Sequence, residues 1–263
     1  MPPQKVAIDS SRRSAPQILE QVSKSGREEL GRSSHALAFS GIAGGLTMGL
    51  TGLAVAVVQS TLGPGTTSEF VAHLFYPLGF IAVIIGRAQL FTENTLYPVI
   101  LVLDEHRHLG NMLRLWTIVY VSNLLGALAF AALVIRTPAL NPGYQQQLMG
   151  LGMSALAAST GFVFWSAVIG GWLIALVAWM VTASHWTIGQ VVIIWFVTFI
   201  VGIGHFAHCV ATSGEILAAV VHGLAPVSMY FHWLLFATMG NIVGGVMIVS
   251  LLNYGQVKAG ESD

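Results

Sequence analysis

Long apolar stretches separated by short polar ones dominate the chain. A polar, mixed-charge opening occupies residues 1–32. Six apolar segments follow, at roughly 36–58, 70–102, 112–135, 151–181, 189–222 and 230–252. Each reaches the ~20 residues that a helix needs to cross a hydrocarbon core about 30 Å thick. The second and fifth are too long for one simple crossing. Both are interrupted by polar and small residues: Gly86-Arg87-Ala88-Gln89-Leu90-Phe91-Thr92-Glu93-Asn94 in one, and Gly204-His205-Phe206-Ala207-His208-Cys209-Val210-Ala211-Thr212-Ser213-Gly214-Glu215 in the other. These two read as broken helices and the other four as plain spans.

The pattern also repeats. Val121-Ser122-Asn123-Leu124-Leu125-Gly126-Ala127 is echoed about 120 residues later by Met239-Gly240-Asn241-Ile242-Val243-Gly244-Gly245, and each copy follows a broken segment. A duplicated chain with one broken helix per half places its breaks together near the bilayer midplane, where they form the solute pathway. The expected fold is therefore an all-α membrane protein of six transmembrane helices in an inverted 3+3 repeat over residues 35–255. It is flanked by an N-terminal tail (1–34) with a short amphipathic helix near 18–30 and a C-terminal tail (256–263). The reading is transport, with no enzyme chemistry and no cofactor.

Composition sharpens this. Of 263 residues 55% are hydrophobic and 8% charged, against about 25% charged in soluble domains. Six of the eleven Lys and Arg lie in the first 32 residues (Lys5, Arg12, Arg13, Lys24, Arg27, Arg32), and only Arg87 sits well inside an apolar stretch. The 103–114 loop carries Arg107 and Arg114, the C-terminal tail carries Lys258, and the 59–69 and 223–229 loops carry no basic residue. The bias of basic residues toward the cytoplasmic side puts both termini in the cytoplasm, with the protein in the cytoplasmic (inner) membrane. Net charge is zero, so no nucleic-acid partner is indicated;. The one cysteine, Cys209, excludes an intramolecular disulfide;. Gly41-x-x-Gly44-Gly45 and Gly49-x-x-Gly52 let helices approach closely in lipid.

Ionisable side chains at membrane depth cost about 2.5–3.5 kcal/mol each on insertion scales, so Arg87, Glu93 and Glu215 should face protein or water. A helix resuming near Thr95, capped by Thr92 or Asn94, would aim its positive dipole end into the cavity. In the fifth span His205 and His208, three apart, would share a helix face, and a histidine there suits proton exchange with weak acids. Thr212, Ser213 and Glu215 supply the polar side of that break, and Glu93 and Glu215 read as symmetry mates across the repeat. The competing readings are a capped kink with no ligand, histidines serving as interhelical hydrogen-bond partners, and a metal held by His205, His208 and Cys209 with a glutamate.

These motifs resemble the formate/nitrite transporter family. Gly86, Leu90, Phe91 and Thr92 match its Gly-Ala-x-Leu-Phe-Thr, Asn123-Leu124-Leu125-Gly126-Ala127 matches its Asn-Leu-x-Gly-Ala, and Gly240-Asn241-Ile242-Val243-Gly244-Gly245 matches its Gly-Asn-Ile-x-Gly-Gly. The family's pore histidine, in Phe-Glu-His-Ser, falls on His208 within Phe206-Ala207-His208-Cys209. The resemblance implies an aquaporin-like protomer assembled as a homopentamer in the lipid bilayer. It also implies a central His208–Thr92 pair between hydrophobic constrictions that include Leu90, Phe91 and Phe206. His208 would then supply or shuttle a proton so that a small anion passes the apolar slits nearly neutral. The family's fourth-span lysine and asparagine align with Ala155 and Gly171, the glutamate before its pore histidine with Ala207, and its sixth-span proline with Phe236. Those departures keep a second cargo class open, a neutral or cationic small solute such as ammonia.

Overall fold

The computed structural model describes residues 13–260, and within them the chain is almost wholly helical. The first twelve residues of the expected N-terminal tail, and residues 261–263, lie outside the described region. Helix α1 (Ala15–Gly31) starts with a capping box, in which Ser14 N donates to Gln17 Oε1 (2.8 Å) and Gln17 N donates to Ser14 Oγ (3.5 Å);. Its buried stripe, Ile18, Leu19, Val22 and Leu30, recurs at helical spacing;. Gly26 on that stripe meets the carbonyl of Tyr97, which leaves no room for a side chain.

Helices α2 (Ser34–Met48) and α3 (Leu50–Leu62) form one apolar stretch of 29 residues. Next come α4 (Thr66–His73) and α5 (Pro77–Ile85), after which the chain unwinds, makes a 3-10 turn at Glu93–Thr95 and resumes as α6 (Tyr97–Glu105). Helix α7 (Leu109–Arg136) is long and apolar, and α8 (Pro142–Ala157) and α9 (Thr160–Ala183) follow it. Helix α10 (Thr187–Ile203) ends at the second interruption, beyond which α11 (Ala211–His222) begins. Helix α12 (Val227–Val243) runs through a π-helical stretch, Gly244–Ser250, into α13 (Leu251–Gly260). Among the described residues five stretches are long and apolar enough to cross a bilayer: Ser34–Leu62, Thr66–Ile85, Leu109–Arg136, Thr160–Ala183 and Val227–Gly260. Helix α10 is equally apolar but has 17 residues.

The expected fourth span, 151–181, is corrected. The chain turns extended at Ala158 and Ser159, and Ser159 Oγ accepts from Phe162 N (3.3 Å) as the cap of α9. A serine N-cap hidden among small residues divides the apolar run into α8, which packs on α11, and the long helix α9;.

The repeat is written into the packing. Gly45 of α2 abuts the carbonyl of Asn123 on α7, and Gly171 of α9 abuts the carbonyl of Asn241 on α12. Gly126 returns the contact against the backbone of α2, as Gly244 does against α9. Close backbone approach of this kind replaces the hydrophobic drive that lipid removes. The halves run in opposite directions. Gln59, late in α3, opens on the same cavity as Phe162 and Val163, early in α9, while Val181 and Thr182, late in α9, open on a second cavity beside α1. Where the halves meet, Tyr120 Oη lies 2.8 Å from Thr238 Oγ1. These two positions correspond under the 118-residue shift that carries Asn123 onto Asn241.

Candidate functional site: a buried histidine between two vestibules

Helices α5 and α10 end in the same way. Arg87 (φ 58°) and His205 (φ 52°) adopt the left-handed conformation. The next residue in each case, Ala88 or Phe206, donates its N–H back to Val83 O or Val201 O, both at 3.0 Å. This is a Schellman-type stop built on residues other than glycine, each strained by about 1–2 kcal/mol. It turns the chain sharply out of the helix at two equivalent places.

One asparagine then fixes each freed strand. Asn123 Oδ1 accepts from Phe91 N (2.9 Å), while its Nδ2 donates to Gly41 O and Gln89 O, both at 2.8 Å. Asn241 repeats the arrangement: Oδ1 accepts from Cys209 N (2.8 Å), and Nδ2 donates to Ala167 O (2.8 Å) and Ala207 O (3.0 Å). Backbone groups that leave a helix inside an apolar bundle need such partners.

The two breaks meet at His208 and Thr92, both fully buried, with Nε2 and Oγ1 2.8 Å apart. The other ring nitrogen, Nδ1, receives backbone N–H groups from Val210 (3.3 Å) and Ala211 (3.0 Å) at the start of α11. Because Nδ1 accepts, the ring proton sits on Nε2 and is donated to Thr92. The edge of Phe80 closes the imidazole from the side, with ring centroids 5.2 Å apart. Neither His208 nor Thr92 lines either of the two vestibules beside it.

A vestibule lies on each side of this pair. The distal one, away from α1, has a volume of about 550 Å³ and is lined by Phe206, Thr212 and Glu215 from the second break, with Glu69, His73 and Tyr76 opposite. Among the described residues no Lys or Arg lines it. At its mouth His205 Nε2 lies 3.1 Å from Glu69 Oε1 and packs edge-on against His73. The proximal one, beside α1, holds about 420 Å³ and is lined by Leu90, Glu93, Arg87 and Tyr97, with Glu29 from α1 and Arg13 just before it. Arg13 Nη1 donates to the carbonyl of Thr182. Gln89 Nε2 donates to Glu29 Oε2 (2.6 Å) and so ties α1 to the first break.

Several expectations are corrected at this point. Neither Thr92 nor Asn94 caps the resumed helix. Thr92 is engaged by His208, Asn94 Nδ2 donates to Gln89 Oε1 (2.8 Å), and α6 starts after Leu96 without a side-chain cap. His205 and His208 share no helix face, because both lie in the unwound segment, one half exposed at the vestibule mouth and the other buried. Glu93 and Glu215 are not symmetry mates. The 118-residue register pairs Glu93 with Ala211 and Glu215 with Tyr97; Glu93 lines the proximal vestibule and Glu215 the distal one. Ser213 is structural, donating to Cys209 O (2.5 Å) and accepting from Tyr230 Oη (3.0 Å). Phe91 lines neither vestibule and is held against Trp116 and Tyr120, at 5.6 and 4.9 Å. Among the described residues no three His, Cys, Asp or Glu side chains converge to hold a metal ion.

Sequence reasoning passed over Glu69, His73 and Tyr76. The available signal was Glu69 and His73 at i, i+4 on one short helix, beside a loop without basic residues. Ala155, where the resemblance puts the family's lysine, lines the distal vestibule with no charge. Gly171, at the asparagine position, is filled by the backbone of Asn241.

A family model described as formate/nitrite transporter matches residues 16–255. "Inner membrane protein YfdC" of Escherichia coli K12 is 34% identical over 259 residues, 97% of this chain and 83% of that protein. A "Probable formate transporter" of Methanothermobacter thermautotrophicus is 30% identical, covering 72% of this chain and 75% of the relative. Among solved structures, an "FNT family ion channel" superposes with a TM-score of 0.82 at 17% identity, covering 92% of this chain and 99% of the other. A "Pentameric formate channel with formate bound" gives 0.71 at 20% identity, covering 86% and 98%. With nearly its whole described length matched by that family model, and with helices apolar enough to span a bilayer, this integral membrane protein belongs to the formate/nitrite transporter family.

Proposed function

We propose that the chain forms a transmembrane channel for small monovalent weak-acid solutes of the formate and nitrite class, working in the cytoplasmic membrane as a homopentamer with both termini cytoplasmic. The observation that carries this reading is the buried His208–Thr92 pair, set between two vestibules at the meeting point of the two breaks. A bare carboxylate loses too much hydration to cross the apolar wall formed around this pair by Phe80, Leu90 and Phe206, whereas its protonated form loses little. His208 offers one polar station inside the wall, an N–H already aligned by its partners. Six crossings follow when the broken spans are completed by α6 and α11, and the formate-bound pentameric neighbour supports the oligomer.

A second reading keeps the path and changes the cargo to a neutral or cationic solute such as ammonia. What favours it is the distal vestibule, which carries Glu69 and Glu215 and no Lys or Arg. Flux into proteoliposomes separates the two. Formate or nitrite uptake that rises from pH 8 to pH 5 and collapses in His208→Ala supports the weak-acid channel. Uptake of methylammonium alone, with none of either anion at any pH, would replace it by the second reading.

A further inference from the structure

Glu215 is a buried polar group of the distal vestibule that no other described residue satisfies. It is 8% exposed, yet among the described residues no hydrogen bond or ion pair reaches its carboxyl group. Glu215 lines the distal vestibule together with Thr212 and Tyr76, and its side chain lies against Gly52, where a Cβ would collide with it. The internal repeat shows that this is a pathway position. The counterpart of Glu215 is Tyr97, which lines the proximal vestibule and whose hydroxyl lies 3.4 Å from both Ala178 O and Thr182 Oγ1. Equivalent places thus face the two vestibules, one with a tethered phenol and the other with an untethered carboxyl group. A buried group of that kind takes its partner from whatever enters the cavity, a proton or a solute.

His208 cannot supply that proton in this arrangement. It holds one ring proton, on Nε2, and its Nδ1 faces two backbone N–H groups. Giving up the Nε2 proton would leave an imidazolate.

We infer that Glu215 is the proton-exchange group of the distal vestibule, the place where a small weak-acid anion takes up the proton with which it crosses the His208–Thr92 wall. The O–H bond of the Glu215 carboxylic acid breaks as an O–H bond forms on the anion, which leaves Glu215 ionised and the solute neutral. A hydronium ion entering through the half-exposed mouth at His205 and Glu69 returns a proton to Glu215 and leaves as water, so one bulk proton travels with each anion. The titratable groups around it are few. Glu69 and His73 of α4, Tyr76 before α5, and His205 share the cavity. The vestibule-lining residues of α3, α8 and α12 include none, Tyr230 of α12 faces Ser213, and Arg136 of α7 is held at Val221 O at the far end of α11. No α2 residue lines this cavity.

This inference rests on the weak-acid reading. Its test is radiolabelled formate uptake into proteoliposomes between pH 4.5 and 8, with wild type, Glu215→Gln and Glu215→Asp side by side and each checked for wild-type elution in detergent. Glu215→Gln should lose at least tenfold of the flux at pH 7 and recover it as pH falls and undissociated formic acid becomes abundant in the bulk. Glu215→Asp should fall between the two, and that comparison still decides the matter if the glutamine variant does not elute as wild type. A glutamine variant with the wild-type rate and pH profile overturns the role of Glu215. So does an equal loss at every pH, which would mark a purely structural residue. A wild type that carries no formate at any pH is a distinct result, and it overturns the weak-acid reading together with this inference.

Discussion

Asn123 and Asn241, 118 positions apart, make the same three hydrogen bonds to opposite halves of the molecule. Each accepts one N–H from its broken segment and donates to two carbonyls, one in that segment and one in the first long helix of its own half. Alanine at either position would strand the two backbone groups of its broken segment, one N–H and one carbonyl, at about 1–3 kcal/mol apiece. Both variants should unfold at clearly lower temperature in detergent. Asn→Asp should be nearly as harmful, since it removes the donors and keeps the acceptor. Wild-type melting of either alanine variant would show that the breaks hold themselves.

Glycines at the helix crossings give a second, sharper contrast. A Cβ on Gly45 or Gly171 runs into the carbonyl of the paired asparagine, whereas one on Gly150 meets nothing within 4 Å. Gly45→Ala and Gly171→Ala should each destabilise by about 1–3 kcal/mol, the usual range for overpacking. Gly150→Ala should be neutral. Thermal melts of the three purified variants check the ordering.

Thr92→Val keeps the shape of the central pair and removes the acceptor of the His208 N–H. A buried donor left without a partner costs about 1–3 kcal/mol, and each 1.4 kcal/mol added to a barrier is tenfold in rate. Formate flux should therefore fall by about tenfold or more while the protein still elutes as wild type. Unchanged flux would mean that the hydroxyl takes no part in passage.

Glu105, at the end of α6, is held by cations outside the spans. It accepts from His108 (3.0 Å), Arg107 (2.6 Å) and, across to α1, Arg27 (2.7 Å), which together push its carboxyl group down to about 2. The sign follows from linkage: a lowered carboxyl favours the docked state above its ordinary value near 4.5, and that contribution fades as pH falls toward 2. Cys209 is buried, so a spin label on Gly31→Cys reports α1 alone. Its spectrum should be immobile at pH 5–7 and loosen toward pH 2. Glu105→Gln should be looser than wild type at pH 5–7 and show less pH dependence.

Much of this was legible in the sequence because lipid enforces simple rules. Apolar length located most of the spans, and two Asn-x-x-small segments located the duplication. Thr92 and His208 were singled out from different breaks 116 positions apart, and they are hydrogen-bonded in the fold. The misreadings share a cause. Ser159 caps a helix inside an apolar run, where hydropathy is blind to a single hydroxyl. Residue type alone makes Thr92 and Asn94 look like caps, but their side chains are claimed by His208 and Gln89, partners that only tertiary packing supplies. Counting by segment rather than by register made Glu93 and Glu215 equivalent, whereas the asparagines fix a shift that separates them by four positions.

The contact between Tyr120 and Thr238 has one further meaning. In a pair of separate identical chains related by the same axis, a residue at that position would face its own copy, and any change would strike both sides at once. Joined in a single polypeptide, the two sites are free to differ, and a phenol now meets a threonine hydroxyl at 2.8 Å. That liberty extends outward from the axis. It allows a carboxylate in one chamber to stand opposite a tyrosine in the other, so that a nearly symmetrical scaffold presents two chemically different entrances.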